Sequence, residues 1–324
     1  MSIMGKDYID ELDALIEEPF AERGTITGSG DFGVLLALTD DKLGSSAVAV
    51  TRALNERRGA SPSVLYVIEV GTSVPDAAMV IVSLEADLQD PRTRELQTLA
   101  MRKTLHLDRE PVAAWAMTLA VGNAARVIVE RAERNGAKIV VLGLNRHGTT
   151  GRVMGRDTVN GVMAIGGVPV LAVRPELIDL PKRIVVPVDF SRASIRAAHL
   201  ARRIVDEHGT MHLVFVEPAR PQFRTESEEA SELIHARGVE AAFSQLVAEL
   251  WPSVGVKINT AVRRGGPVAE ITRFAEECDA DLIAIGSQRH PFLDRLLVGS
   301  VASAIAADAR WSVLVTPPDR AIHR

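Results

Sequence analysis

Short apolar runs alternate along the chain with longer segments of helical periodicity, and this alternation predicts an α/β fold. Short runs that are almost wholly apolar, such as residues 33–40 (GVLLALTD) and 63–70 (SVLYVIEV), are typical of strands buried on both faces. Longer segments between them, such as residues 124–135, place apolar residues at helical spacing. Because strands that alternate with helices imply right-handed crossovers, we expect parallel sheets covered by helices on both faces.

The same pattern runs twice along the chain. In the first half it predicts strands at 33–40, 63–70, 113–121, 138–143 and 168–173, with helices at 45–58, 86–106, 124–135 and 157–166. In the second half it predicts strands at 183–189, 210–217, 254–262, 281–286 and 311–316, with helices at 191–208, 228–250, 266–278 and 299–309.

The second half is a diverged copy of the first. Residues 122–175 align without a gap with residues 265–318, and thirteen of the 54 pairs are identical, among them Gly122/Gly265 and Gly143/Gly286. A repeat this long indicates two copies of one domain rather than a solenoid. We therefore predict an N-terminal extension (1–30), a first domain (31–176) and a second domain (182–318), each α/β with a five-stranded parallel sheet.

Composition narrows the class of protein. A net charge of −5 with interspersed signs and an aromatic content of 4% give neither a basic surface nor stacking platforms, so no nucleic-acid partner is expected. The chain starts with an acidic segment and has no apolar run of membrane-spanning length, so we expect a cytoplasmic protein without a membrane partner. The single cysteine, Cys278, is interpreted as an ordinary helix residue.

One pair of loops carries a signal for binding. In the second domain Gly286 ends a strand, and Gly299-Ser300 opens a helix thirteen residues later, a G-x12-G-S pattern. Small residues let backbone amides approach an anion, and the amino end of a helix adds unpaired N–H groups. Ligands of such sheets lie at the carboxyl ends of strands, which also singles out Asp189 after the first strand of this domain.

These segments resemble the universal stress protein family, whose domains have an Asp after the first strand and a G-x2-G-x9-G-[ST] loop. The resemblance rests on RIVVPVDFS (183–191), on residues 265–286 and on the closing segment 299–318. It covers nearly all of 182–318, and 33–175 more weakly. It implies flavodoxin-like sheets of strand order 3-2-1-4-5, and a tandem protein that forms its own pseudo-dimer across the last strands.

The resemblance also implies a nucleotide site, from which this chain departs. In nucleotide-binding members the loop holds ATP phosphates; here Gly286, Gly299 and Ser300 match it, and Asp189 and Val216 occupy the adenosine-side positions. The middle glycine of the pattern is replaced by Arg289, which either contacts phosphate or blocks the site.

The first domain departs further from the pattern, and the matching residues of the second domain also fit structural roles. In the first domain Arg146 replaces the middle glycine and Arg156-Asp157 replaces Gly-Ser, so we interpret that site as lost. In the second, Gly286 and Gly299 equally fit a role in turn geometry, and Asp189 equally fits a role in capping the following helix.

The function expected from the sequence is that of a non-enzymatic stress-response regulator or interaction module, with a protein partner or self-association. The alternative is a switch that binds ATP or AMP in the second domain only, with Mg²⁺ only if it accompanies the nucleotide. No metal-ligand spacing and no nucleophile–base constellation stands out, so no enzyme is predicted, although weak ATP hydrolysis stays open.

Overall fold

A computed structural model describes residues 32–38, 44–68, 80–83, 115–144, 154–218, 226–250, 255–287, 300–308 and 310–317. The predicted extension 1–30 and the predicted helix 86–106 lie outside these residues, as do residues 145–153 and 288–299. The described residues form two compact units. One contains the described part of 32–180 together with 300–317, and the other contains the described part of 181–287.

The helices and strands follow the predicted order, with one strand added. The strands are β1 (Phe32–Leu38), β2 (Ala60–Ile68), β3 (Val80–Ser83), β4 (Ala116–Val121), β5 (Ile139–Gly143), β6 (Val170–Val173), β7 (Arg183–Pro187), β8 (Thr210–Glu217), β9 (Lys257–Arg264), β10 (Leu282–Gly286) and β11 (Ser312–Thr316). The helices are α1 (Gly44–Arg58), α2 (Ala124–Arg134), α3 (Met154–Ile165), α4 (Arg192–Ile204), α5 (Glu226–Leu250), α6 (Pro267–Glu277) and α7 (Ser300–Asp308).

The sheet of the first unit confirms the expected topology. Its order is β3-β4-β2-β1-β5-β6-β11, and the five repeat strands within it run 3-2-1-4-5. Neighbouring pairs from β4 to β6 are parallel. The sequence did not predict β3, which pairs antiparallel with β4. Four residues are too few for an apolar run to indicate a strand by periodicity alone.

The sheet of the second unit has the order β9-β8-β7-β10, again 3-2-1-4, and all of its pairs are parallel. Helices cover it on both faces. Phe215 of β8 contacts α5 through His235, whereas His212, which points the other way, contacts Phe274 of α6 at 5.6 Å between ring centroids. Side chains on alternate residues of β8 therefore serve two separate layers of packing.

The last strand of the chain, β11, pairs with the last strand of the first domain. The pairing with β6 is antiparallel and symmetric: Leu314 lies opposite Leu171, Val313 opposite Ala172 and Val315 opposite Val170. Leu171 and Leu314 occupy equivalent positions of the repeat, and both are fully buried. This is the isologous contact of a two-fold dimer, made here within one chain.

Two equivalent turns, between β4 and α2 and between β9 and α6, show why one glycine pair is present in both copies. Gly122 and Gly265 adopt φ values of 149° and 146°, which side-chain-bearing residues rarely adopt. The helix ends differ instead: Gly136 (φ 62°) follows α2, whereas Asp279 (φ 48°) stands at the same place after α6. Asp tolerates this left-handed conformation better than most residues, so this position could diverge.

We expect Leu314→Ala to destabilise the first unit by about 2–5 kcal/mol, because it leaves a cavity opposite Leu171. Hydrogen exchange of the β6 amides should accelerate in this variant. Ile178→Ala, at a side chain that is 71% exposed, is the matched control. Unchanged exchange in β6 would contradict a stabilising role of the β6–β11 pair.

The contact between α4 and α5 contains a titratable pair whose two side chains are largely but not fully buried. His199 Nε2 lies 3.4 Å from Glu249 Oε2. Burial lowers the pKa of His199 below its ordinary value of 6.5, although Glu249 opposes this effect. Because the folded state resists protonation, the stability that this imidazole contributes is present above pH 6.5 and is lost as the pH falls below it.

We accordingly expect His199→Gln to reduce the loss of stability between pH 7.5 and pH 5.5, measured by urea unfolding at both values. Some loss should persist, because burial also lowers the pKa of His212. An equal loss in the variant and the parent protein would show that His199 does not set this dependence.

Candidate functional site beside strand β7

The chain leaves β7 through a tight turn that places Asp189, Phe190 and Ser191 at the start of α4. Phe190 has a φ of 59°, a strained value for a bulky residue. Its ring is buried and packs on Phe215 and Phe243, with centroids 5.4 and 5.2 Å away. This aromatic packing holds the turn in place, and the turn in turn positions Asp189.

Asp189 is exposed, and its carboxylate is part of the helix cap. Its Oδ1 accepts hydrogen bonds from the backbone N–H of Ser191 (3.1 Å) and from the Ser191 hydroxyl (2.6 Å). Ser191 is the N-cap residue of α4, and its Oγ accepts from the backbone N–H of Ser194 at 3.3 Å. The cap itself is therefore Ser191, and Asp189 orients it.

Gly286 ends β10 where the first turn of α4 passes. A Cβ at this position would lie 2.4 Å from the carbonyl carbon of Ala193 and 2.5 Å from the nitrogen of Ser194. The φ of Gly286 is not in the left-handed region. The glycine is thus required by close backbone packing rather than by turn geometry, and it brings the end of β10 against the start of α4.

Val216 lies on β8 next to the end of β7. The backbone N–H of Val188 donates to the carbonyl of Val214 at 2.9 Å, whereas the carbonyl of Glu217 accepts from Gly265 on the β9 side. Because backbone groups alternate in direction along a strand, the N–H and C=O of Val216 face the β7 side, beyond the point where β7 ends. A donor and an acceptor of the backbone are thereby directed toward the Asp189 turn.

The remaining predicted residues are described only in part. Ser300 is the first residue of α7, as the Gly-Ser pattern predicted, and belongs to the other compact unit. Arg289 and Gly299 lie outside the described residues, and so does Arg146. In the first domain Gly143 ends β5, and α3 begins before Arg156 and Asp157, so these two residues lie in its first turn.

The strand order, the symmetric pairing of the two last strands and the glycine at the end of each fourth strand define a tandem flavodoxin-like α/β protein. The chain belongs to the universal stress protein family, whose sequence pattern matches residues 33–174 and 181–317. The resemblance inferred from the motifs is confirmed.

Individual relatives agree with this assignment. A universal stress protein of Methanocaldococcus jannaschii is 37% identical over 143 residues, which cover 42% of this chain and 82% of that protein. Universal stress protein G of Shigella flexneri is 28% identical over 141 residues, covering 41% and 97%. The fold matches the crystal structure of a universal stress protein from Archaeoglobus fulgidus with a TM-score of 0.60, at 17% identity, over 89% of this chain and 99% of that one.

Sequence reasoning missed an ionic cluster at the end of β8. The carboxylate of Glu217, only 5% exposed, lies 3.3 Å from His235 Nε2 and 2.9 Å from Arg264 Nε. A charged residue closing an apolar strand was the available signal, but its partners lie 18 and 47 residues further along the chain. Only the packing of α5 and β9 on β8 brings them together.

Other candidate groups are less suited to chemistry. Cys278 is the C-cap residue of α6, and burial raises the pKa of its thiol, which disfavours the thiolate. Within the described ranges, no three His, Cys, Asp or Glu side chains lie where they could hold a metal ion together. None of the described helices combines the length and apolar character needed to cross a bilayer.

We expect Gly286→Ala to destabilise the second unit by about 1–3 kcal/mol whether or not nucleotide is present, because the new methyl group would overlap the backbone of α4. The control is Gly266→Ala at the N-cap of α6, where φ is −72° and a Cβ would have open space. Urea unfolding of both variants checks this. Equal stability of the two variants would argue against the close approach.

Proposed function

We propose that this universal stress protein is a non-enzymatic regulator of the stress response that acts as an interaction module for a protein partner. The observation that carries the proposal is the symmetric pairing of β6 with β11. The contact between the last strands is made within one chain and needs no second copy of the protein. The surfaces outside that contact would then be available to a protein partner. The tandem arrangement thereby favours a self-contained module.

The state of Asp189 supports a role without catalysis. Its carboxylate stands at the centre of the candidate site and is hydrogen-bonded to the cap of α4, which is a structural use of this group. Catalysis of hydrolysis would require a base or a positioned metal to activate water. Arg289 in place of the middle glycine further supports a site that has lost its original use.

A second candidate is a switch that binds ATP or AMP in the second domain. It is favoured by the direction of the Val216 backbone, whose N–H and C=O would meet the edge of an adenine ring. Asp189 would accept from ribose hydroxyls, since a carboxylate offers about four lone-pair sites. Gly286, Gly299, Ser300 and Arg289 would hold the phosphates, with Mg²⁺ only as a companion of the nucleotide.

Two measurements made in parallel separate the two candidates. The freshly purified protein is denatured, and the released small molecules are separated by anion exchange; in parallel, ATP with Mg²⁺ is titrated calorimetrically into the native protein. For the interaction module we expect no stoichiometric nucleotide and no binding at millimolar ATP.

Binding that is lost in Gly299→Asp and kept in Asp157→Ala would replace the module with the nucleotide switch, since the first variant places a negative charge at the phosphate position of the second domain. Binding that is lost equally in both variants would contradict a single site in the second domain.

A further inference from the structure

A cavity of about 570 Å³ opens on the α5 face of the second unit, between α5 and the strands β8 and β9. This size lies within the range of sites for small molecules. None of its lining residues belongs to the candidate nucleotide site, so it constitutes a separate feature of the molecule.

Part of the cavity wall is apolar and lies where the helix leaves the strands incompletely covered. Val239, Phe243 and Val247 recur at helical spacing on α5, and Ile258 and Val262 lie on the facing side of β9. The ring of Phe243 packs on Phe190 in the turn after β7, so this part of α5 is held toward the end of β7. Strand β9 is left incompletely covered, and Val262 stays 47% exposed.

One end of the cavity is built from the ionic cluster of Glu217. This buried carboxylate joins His235 of α5 to Arg264 of β9, the two elements that form the walls. Desolvating a carboxylate is costly, and both of its oxygens have a partner here. The cluster therefore fixes the distance between the walls and gives the cavity a defined polar end.

The polar groups that line the cavity favour a donor or cation over an anion. Two carboxylates, Glu217 and Glu240, face one guanidinium, that of Arg264, whose Nε already pairs with Glu217. The carboxylate of Glu240 and the hydroxyls of Ser244 and Thr260 are available as acceptors at the cavity. An ammonium group would be stabilised beside Glu240 by its charge.

We propose that this cavity binds a small amphipathic amine, with its aliphatic part between α5 and β9 and its ammonium group beside Glu240. The inference goes beyond the proposed function and does not depend on it, because it uses none of the residues assigned to nucleotide. The ligand would join the outermost strand of the unit to its longest described helix.

The test uses the full-length protein and three probes with the same ten-carbon chain: decylamine, decanol and decanoate. Each is titrated calorimetrically below its micelle-forming concentration. We expect decylamine to bind about tenfold more tightly than decanol, the gain typical of a charge-assisted contact, and decanoate to bind least. Glu240→Gln should remove the advantage of decylamine and leave the affinity for decanol unchanged.

A matched pair of variants locates the binding. Thr260→Trp fills the cavity, whereas Asn259→Trp places the same side chain on the opposite face of β9; both positions are exposed, and neither change should prevent folding. We expect decylamine binding to be lost only in Thr260→Trp. Before that comparison, far-ultraviolet circular dichroism and thermal melting establish that both variants are folded.

Three results would overturn the proposal. The first is binding of decanoate as tight as that of decylamine, and the second is equal binding in the two tryptophan variants, which would indicate non-specific adsorption. The third is the absence of binding by all three probes. In that case the exposed apolar wall would be a candidate contact surface for a macromolecular partner and not a small-molecule site. The nucleotide measurements are unaffected by any of these results, so the two proposals fail separately.

Discussion

An unpaired sheet edge presents a row of backbone donors and acceptors, and the way in which this chain satisfies one such edge organises the rest of the structure. Strand β6 would end its sheet with apolar residues on both sides, and β11 covers it by antiparallel pairing. Arg174 reinforces the contact: its N–H donates to the Ser312 hydroxyl at 3.1 Å, and its guanidinium donates to the carbonyl of Arg310. A chain segment from the end of the second domain thereby completes the unit formed by the first.

The candidate site depends on a second constraint, the close approach of α4 to the end of β10. Gly286 permits that approach, and the buried ring of Phe190 offsets the strain of a left-handed turn. Asp189 then completes the cap through Ser191. Both residues serve the fold in this chain, so Gly286 and Asp189 are not by themselves evidence of bound nucleotide.

The candidate nucleotide site and the cavity of the second unit offer different chemistry. Where β7 ends, the polar groups are the carboxylate of Asp189, the helix cap at Ser191 and the backbone of Val216. On the α5 face a buried carboxylate is held by a histidine and an arginine. Strand β9 is the third strand of its repeat and corresponds to β4 of the first domain. On its outer side β4 pairs with β3, whereas among the described residues of its unit β9 pairs only with β8. Within the described residues the two copies thus differ in how the edge beside the third strand is paired.

The sequence alone determined the class of fold, because apolar runs and helical periodicity respond directly to burial and because the repeat displays them twice. It also determined the strand order through the resemblance of motifs such as RIVVPVDFS. The identical glycine pairs of the repeat marked Gly122, Gly265 and Gly286, where the structure disfavours a side chain. Helix ends were predicted to within a few residues, since local capping decides them. The strand β3 was missed because four residues carry too little periodicity.

Only the tertiary structure decided which role each marked residue has. Asp189 and Ser191 share the cap, and Gly286 serves a helix that begins almost a hundred residues earlier in the chain. The cluster of Glu217, His235 and Arg264 and the cavity beside it were likewise invisible in the sequence. Contacts between distant segments depend on how helices pack on a sheet. The periodicity of a sequence indicates whether a position is buried, but it does not indicate which residues that position packs against.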